Sequence, residues 1–395
     1  MVAAGSITWG GLFFDRFAPL YILLPLSADL GASPQWVGAL ALLLGFAWAL
    51  AMPLARLVSG RWSHRQRLVG ATVCALVASL ASLFATNWGW FIVLRALSSL
   101  AAGTAAPAIT GLAFAHVPAR RRGLDLGLVQ SSTRLLGSLI SPIVVTAIFV
   151  AGGWRLALVA SAGVVSVGIV SILALAPRGS GLRTQVDDAY RLHPWGRRNL
   201  AICVGVATLL LTWLLVVSQS VVPLLTSWLD TDEATAGLLL SLFGVGAWLS
   251  AIAIPALSDR TGRTQALIGG AAVGATAGLS LAGAATAGML TDAPLVVGAL
   301  LLLSGTATGC LPLVISIIPA EAVASGDVGR ALEGPVVGTE IIGGALLPAA
   351  AMYLTSYMGF APVIGLSAAL LLAVIGLGPL LSDSQPGDAL HGPTE

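Results

Sequence analysis

Residues 200–225 read LAICVGVATLLLTWLLVVSQSVVPLL. No charge interrupts them, and as a helix rising 1.5 Å per residue they outreach the ~30 Å hydrocarbon core of a bilayer. A helix that is apolar all round has no face for water, so its solvent is lipid or other helices. Similar stretches lie at 8–27, 35–57, 67–86, 90–112, 125–149 and 154–176 before it, and at 234–256, 265–287, 293–316, 331–353 and 357–380 after it. The sequence therefore predicts an all-α membrane protein with twelve transmembrane helices. They divide into an N-terminal six-helix bundle over 1–176, a cytoplasmic linker over 177–198 and a C-terminal six-helix bundle over 199–381. A disordered tail is expected over 382–395. The first apolar stretch reads as a retained helix, because no cleavage site and soluble domain follow it.

Composition agrees. The 395 residues are 57% hydrophobic and 9% charged, against about 25% charged in soluble proteins. The 47 glycines suit helices that must approach closely, since lipid supplies no hydrophobic drive to pack them. Cys74, Cys203 and Cys310 lie in apolar runs without disulfide or metal spacing, and read as small buried hydrophobes. All 19 basic residues are arginines, so no Gly-x-x-x-x-Gly-Lys loop exists and a fused ATP-driven pump is excluded. His64, His116, His193 and His391 fall in loops, at helix ends or in the tail. With no catalytic triad or metal cluster, the chain is not expected to be an enzyme, and it implies no cofactor and no nucleic acid.

The arginines give a sidedness. Arg56, Arg61, Arg65 and Arg67 follow the second span, Arg120 to Arg122 the fourth, Arg260 and Arg263 the eighth, and Arg330 the tenth; five more occupy the central linker. The odd-numbered loops carry Asp29, Asp230, Asp232, Glu233 and Asp292, with Arg155 as the exception. Arginine is retained on the cytoplasmic side. Both termini are therefore expected in the cytoplasm of a bacterial inner membrane. The halves also echo each other: Ser63-His64-Arg65 matches Ser258-Asp259-Arg260, and Arg134, Gly137 and Pro142 match Glu340, Gly343 and Pro348, 206 residues on. Duplicated six-helix units are a common plan of carriers.

With these features the chain resembles the major facilitator superfamily over nearly its whole length. That family's basic turn, Gly-x-x-x-Asp-Arg-x-Gly-Arg, survives in a second copy as Asp259, Arg260, Gly262 and Arg263. In the first copy Gly60 and Arg65 stand, but His64 takes the acidic position and Arg67 that of the second glycine. Arg95, Gly103 and Pro107 resemble the family's arginine helix, and Gly153-Trp154-Arg155 a common family sequence at the sixth span. Phe14-Asp15-Arg16, Pro25, Asp29-Leu30-Gly31 and Gln35 to Gly38 resemble, more narrowly, the opening of the anion:cation symporter branch, which carries organic anions. Where that branch has a glutamate in the fourth span this chain has Ala102. The resemblance implies a central cavity, inner gates at the basic turns and no enzymatic activity.

Ionisable groups inside spans are expensive and mark function by default. Arg134 would hold an anion through its planar fork of donors. Arg16, Tyr21, Gln130 and Gln219 are further substrate-binding candidates. Glu340 and Asp15 are candidates for proton coupling. Asp15 and Arg16 are neighbours, so they point about 100° apart on a helix; the alternative for Asp15 is a salt bridge with Arg95. Arg95 lies near the end of its span, where snorkelling would make its charge cheap. Gly60, Arg65, Asp259, Arg260 and Arg263 are the gating candidates, with Glu333 facing Arg65 or Arg67 and Arg122 facing Asp259. Trp213 and Trp228 would anchor their helix at the two interfaces.

The expected function is secondary transport by alternating access, as proton-coupled uptake of a small organic anion. The alternative is a proton-coupled drug or metabolite exporter, which the partial antiporter-like run Gly137, Ser141 and Pro142 leaves open. The partners expected are a small-molecule substrate, protons and the lipid bilayer, with a functional monomer.

Overall fold

In a computed structural model the protein is a succession of helices: α1 (Val2–Tyr21), α2 (Leu23–Asp29), α3 (Ala39–Ser59), α4 (His64–Ala81), α5 (Trp88–Gly103), α6 (Leu128–Leu175), α7 (Gly196–Trp228), α8 (Glu233–Thr261), α9 (Arg263–Thr286), α10 (Pro294–Ile317), α11 (Val336–Met358) and α12 (Phe360–Leu380). The structure describes residues 2–33, 36–59, 62–106, 108–109, 128–175, 196–321 and 336–381. Among these, eight helices are long and apolar enough to cross a membrane, or nine when α1 and α2 count as one bent span. Leu50, Val77, Leu97, Val170, Leu238 and Leu372 point outward from these and from the shorter apolar α3 and α5, as a surface bathed in lipid requires. Cys74 is exposed on the same surface, so only Cys203 and Cys310 are the buried hydrophobes expected.

Each helix boundary has a local cause. Pro25 has no N–H for the Tyr21 carbonyl and its ring crowds that turn, and α1 and α2 meet there at 68°. Ser63 and Gln66 close a capping box at the start of α4. Asn87 caps α5 through the Trp90 N–H. Asp232 caps α8 through the Thr235 N–H, which holds its carboxyl below the usual carboxylate range. Gly262, at φ +91°, joins α8 to α9. At the matching place in the first half Arg67 lies inside α4, because that helix already starts at His64. The lost glycine is thus absorbed by an earlier turn.

Within α6 the helix breaks at Gly152 and Gly153, and Gly153 has φ +79° and ψ +176°. Gly359, between α11 and α12, has φ +80° and ψ +178°. The two are 206 residues apart, the offset of the echo read in the sequence. The same offset relates the C-terminal ends of two π-helical stretches, Thr133–Ile140 and Ile342–Leu346. Each runs into a proline, Pro142 or Pro348, whose missing N–H frees the carbonyl four residues back; the ladder widens there. The freed carbonyls, of Ser138 and Gly344, abut Gly244 of α8 and Gly45 of α3, where any Cβ would overlap them. Two turns earlier Gly237 and Gly38 make similar close approaches to the same two partner helices. Two glycine seams, α3 on α11 and α8 on α6, therefore join the two ends of the chain.

Inside the first half, Asp15 is the hub. Its carboxylate pairs with Arg95 of α5 at 3.1 Å and accepts from Ser79 of α4 at 2.7 Å, Ser161 of α6 at 2.7 Å and Ser98 of α5 at 3.2 Å. Arg95 also donates to the Asp15 carbonyl. Arg95 is 1% exposed, so it does not snorkel: its ion pair with Asp15, not the bilayer edge, makes its charge tolerable. At one end of this half Asp29 accepts from the Trp154 indole at 2.6 Å and meets Arg155 at 3.8 Å. This pairing accounts for the one arginine in an acidic loop. Trp213 is not an interfacial anchor. α7 starts at Gly196, which puts Trp213 in mid-helix, fully buried, its indole donating to the Ser304 carbonyl.

Two outcomes are expected. Gly244→Leu should lower the melting temperature of the purified protein, since overpacking costs about 1–3 kcal/mol, whereas Gly269→Leu, with nothing within 4 Å of the added atom, should not. Asp15→Asn should destabilise by about 3–5 kcal/mol, the usual cost of stripping one partner from a buried ion pair, read in the same melting assay.

Candidate functional site

Asp15 and Arg16 diverge as helix geometry demands. Asp15 turns into the first half, while Arg16 turns across to the second. There Arg16 forms a two-pronged ion pair with Glu340 of α11, Nη2 to Oε2 at 2.8 Å and Nη1 to Oε1 at 3.5 Å. The side chains are 4% and 10% exposed. The Trp48 ring of α3 lies 4.2 Å from the Arg16 guanidinium carbon, a cation–π contact that favours the charge. Trp48 itself packs with Trp9 and Phe13 of α1. No sequence signal linked Trp48 to Arg16, because an aromatic residue on an apolar helix reads as packing.

Around the pair stand three more of the expected substrate residues. Arg134, 7% exposed, sits in the π-helical stretch of α6 and interacts electrostatically with Glu340 and Tyr21. Its Nη1 has no hydrogen-bond partner among the described residues. Arg134 and Glu340 form no direct ion pair at 4 Å or less among the described residues. The Tyr21 hydroxyl donates to the Gly137 carbonyl at 2.6 Å, which pins α1 to the same stretch. Gln219 of α7 is fully buried, and neither polar atom of its amide is hydrogen-bonded among the described residues. Gln130 instead accepts from the Trp9 indole at 3.1 Å.

A small cavity lies beside the pair. Leu20, Ala41, Leu44 and Leu215 form apolar walls, with Arg16 and Gln219 as the polar groups. It has room for about one water-sized sphere. Counted as fixed charges, two arginines and one carboxylate leave the centre positive, since Asp15 is matched by Arg95. An unbonded arginine nitrogen and an unbonded amide in such a place suit a small anion.

The gating candidates are dispersed. Arg65 donates to the Leu173 carbonyl at 3.1 Å, within the first half. Asp259 pairs with Arg263 one turn on, at 2.5 Å; Arg263 also donates to the Ser258 hydroxyl. Arg260 is exposed. Gly60, Arg122 and Glu333 lie outside the described residues, so both expected gate pairs do too. No group of three or more metal-ligating side chains occurs among the described residues.

A family model described as Major Facilitator Superfamily matches residues 6–217. No curated protein matches the chain. Among solved structures, the chain is similar to a bacterial homologue of the human lysosomal transporter Spinster in an inward-facing, occupied conformation, with 13% identity, a TM-score of 0.73 and 98% of each chain covered. It is similar to a D-xylose-proton symporter, with 16% identity, a TM-score of 0.72, and 96% of this chain and 98% of that one covered. A POT family transporter in complex with a thioalcohol-conjugated peptide gives 10% identity, a TM-score of 0.73, and coverage of 96% and 94%. At such identities the likeness is one of fold, and it does not single out the anion:cation symporter branch. The family match takes in more than half of the sequence: the chain belongs to the Major Facilitator Superfamily and is a multi-pass membrane transporter, not an enzyme.

Proposed function

We propose that the protein imports a small organic anion together with a proton, by alternating access of two six-helix halves around the Arg16–Glu340 pair. That ion pair is the observation that carries the reading, because it joins α1 to α11 in the middle of the fold. Several features support the two-half plan. The eight long helices, taken with the bent α1–α2 pair, the second arm of α6 beyond Gly153, and the shorter apolar α3 and α5, support a plan of twelve spans. The halves are 1–176 and 199–381, with 177–198 as linker and both termini on the arginine-rich cytoplasmic side of a bacterial inner membrane. The protein works as a monomer. The basic turns, with Arg65, Arg67 and Asp259 to Arg263, carry the inner gate.

The chemistry follows from competition for one arginine. An arriving carboxylate takes the place of Glu340 on Arg16. Glu340, left without a cation among apolar side chains, then takes up a proton, because an unpaired buried charge is costly. The tie between α1 and α11 is thereby released and the halves can rock. Departure of the anion and the proton on the other side restores the pair. Arg134 supplies the excess positive charge that draws the anion in. An exporter of cations would need an acid free to meet its cargo. Here Asp15 is bound by Arg95 and Glu340 by Arg16, which favours the anion.

One proton carried with a monoanion moves no net charge. In vesicles, accumulation should therefore follow an imposed pH gradient, approaching about tenfold per pH unit, and ignore a potassium diffusion potential. Glu340→Gln should keep anion exchange and lose gradient-driven accumulation; accumulation that survives removes Glu340 as the proton site. Arg134→Ala should abolish saturable anion uptake. Efflux of cationic dyes that this change leaves intact, with no anion uptake in the parent, would instead establish the exporter.

A further inference from the structure

Gln219 is the group for which the scheme above has no use. Its amide is fully buried, lines the cavity beside Arg16, and has both its Nε2 and its Oε1 unbonded among the described residues. An amide offers two donors and two acceptor positions, and leaving them unmade in an apolar interior is costly. Of the side chains that share the cavity, Leu20, Leu44, Leu215 and Ala41 can answer neither end, and the Arg16 guanidinium is bonded to Glu340.

We infer that Gln219 reads a hydroxyl beside the carboxylate of the cargo, so that the substrate class is the short 2-hydroxy monocarboxylates. This rests on the anion-uptake reading and narrows it. The carboxylate belongs on Arg16, whose planar fork matches it in two places. A hydroxyl on the adjacent carbon then donates to Oε1 of Gln219 and accepts from its Nε2, satisfying both orphaned ends with one group. A simple carboxylate has no donor for Oε1. An amino group could donate, but its positive charge would face Arg16 and Arg134 against the single acid Glu340. The apolar walls call for a short alkyl remainder, and the cavity, with room for about one water-sized sphere, must open to admit it.

The test uses matched pairs of acids, lactate with propionate and 2-hydroxybutyrate with butyrate. Half-saturation for proton-coupled uptake is measured in vesicles, alongside thermal stabilisation of the purified protein. The parent should prefer the hydroxylated member roughly ten- to hundredfold, the range expected when a buried hydrogen-bonding group is left unsatisfied. Gln219→Leu should bring the ratio close to one by weakening the hydroxy acid while sparing the simple acid. Gln219→Met, of similar length, serves if the leucine variant does not fold. An unchanged ratio in either variant, or no discrimination by the parent, overturns the inference while leaving anion uptake standing. If the parent moves neither member of any pair with a proton, the anion-uptake reading falls and the inference falls with it.

Discussion

The ion pair between Arg16 and Glu340 unites positions 324 residues apart and is almost wholly out of water. A buried pair is a poor device for stability alone, because desolvation consumes much of its attraction. Its distinctive property is conditionality: it holds only while both partners are charged and neither has a better partner. One residue earlier, Asp15 has a different fate on the same helix. Four side chains from three helices hold its carboxylate, so no single competitor can release it. Adjacent residues pointing about 100° apart thus give α1 a fixed side toward its own half and a changeable side toward the other.

The pair also has a mechanical setting. Glu340 precedes Gly344 by four residues, and Arg134 precedes Ser138 by four. Each charge therefore lies about one turn from the carbonyl that a following proline has freed, on the same helix face. Those carbonyls rest on Gly45 and Gly244 across the glycine seams. A change of charge at Glu340 sits one turn from the contact that closes α11 on α3. The second half repeats the construction of the first, with an acid where the first has an arginine.

Much of this was legible in the sequence. The apolar stretches gave the helices, and the 206-residue echo located Arg134, Glu340, Gly137 and Pro142, around which the π-helical stretches form. Arg16, Tyr21 and Gln219 were marked as costly inside a span, and all three stand at the centre. Of the pairings, only Asp15 with Arg95 stood among the alternatives read from the sequence. Arg16 meeting Glu340 depends on the packing of distant helices, and no local pattern encodes it. The burial of Trp213 and Arg95 was missed for a related reason: depth along a span depends on where the helix starts and on which neighbour answers the polar group. Gly45 and Gly244 were lost among 47 glycines, since only the facing carbonyl distinguishes them.

The central claim is that an anion and a carboxylate of the protein compete for one arginine, with a proton settling the exchange. It is tested most directly by adding the anion to purified protein in weakly buffered detergent solution with a pH indicator. Binding should draw protons from solution in step with occupancy, and Glu340→Gln should bind without that uptake. Anion binding to the parent with no proton uptake at any pH where it binds would contradict the claim.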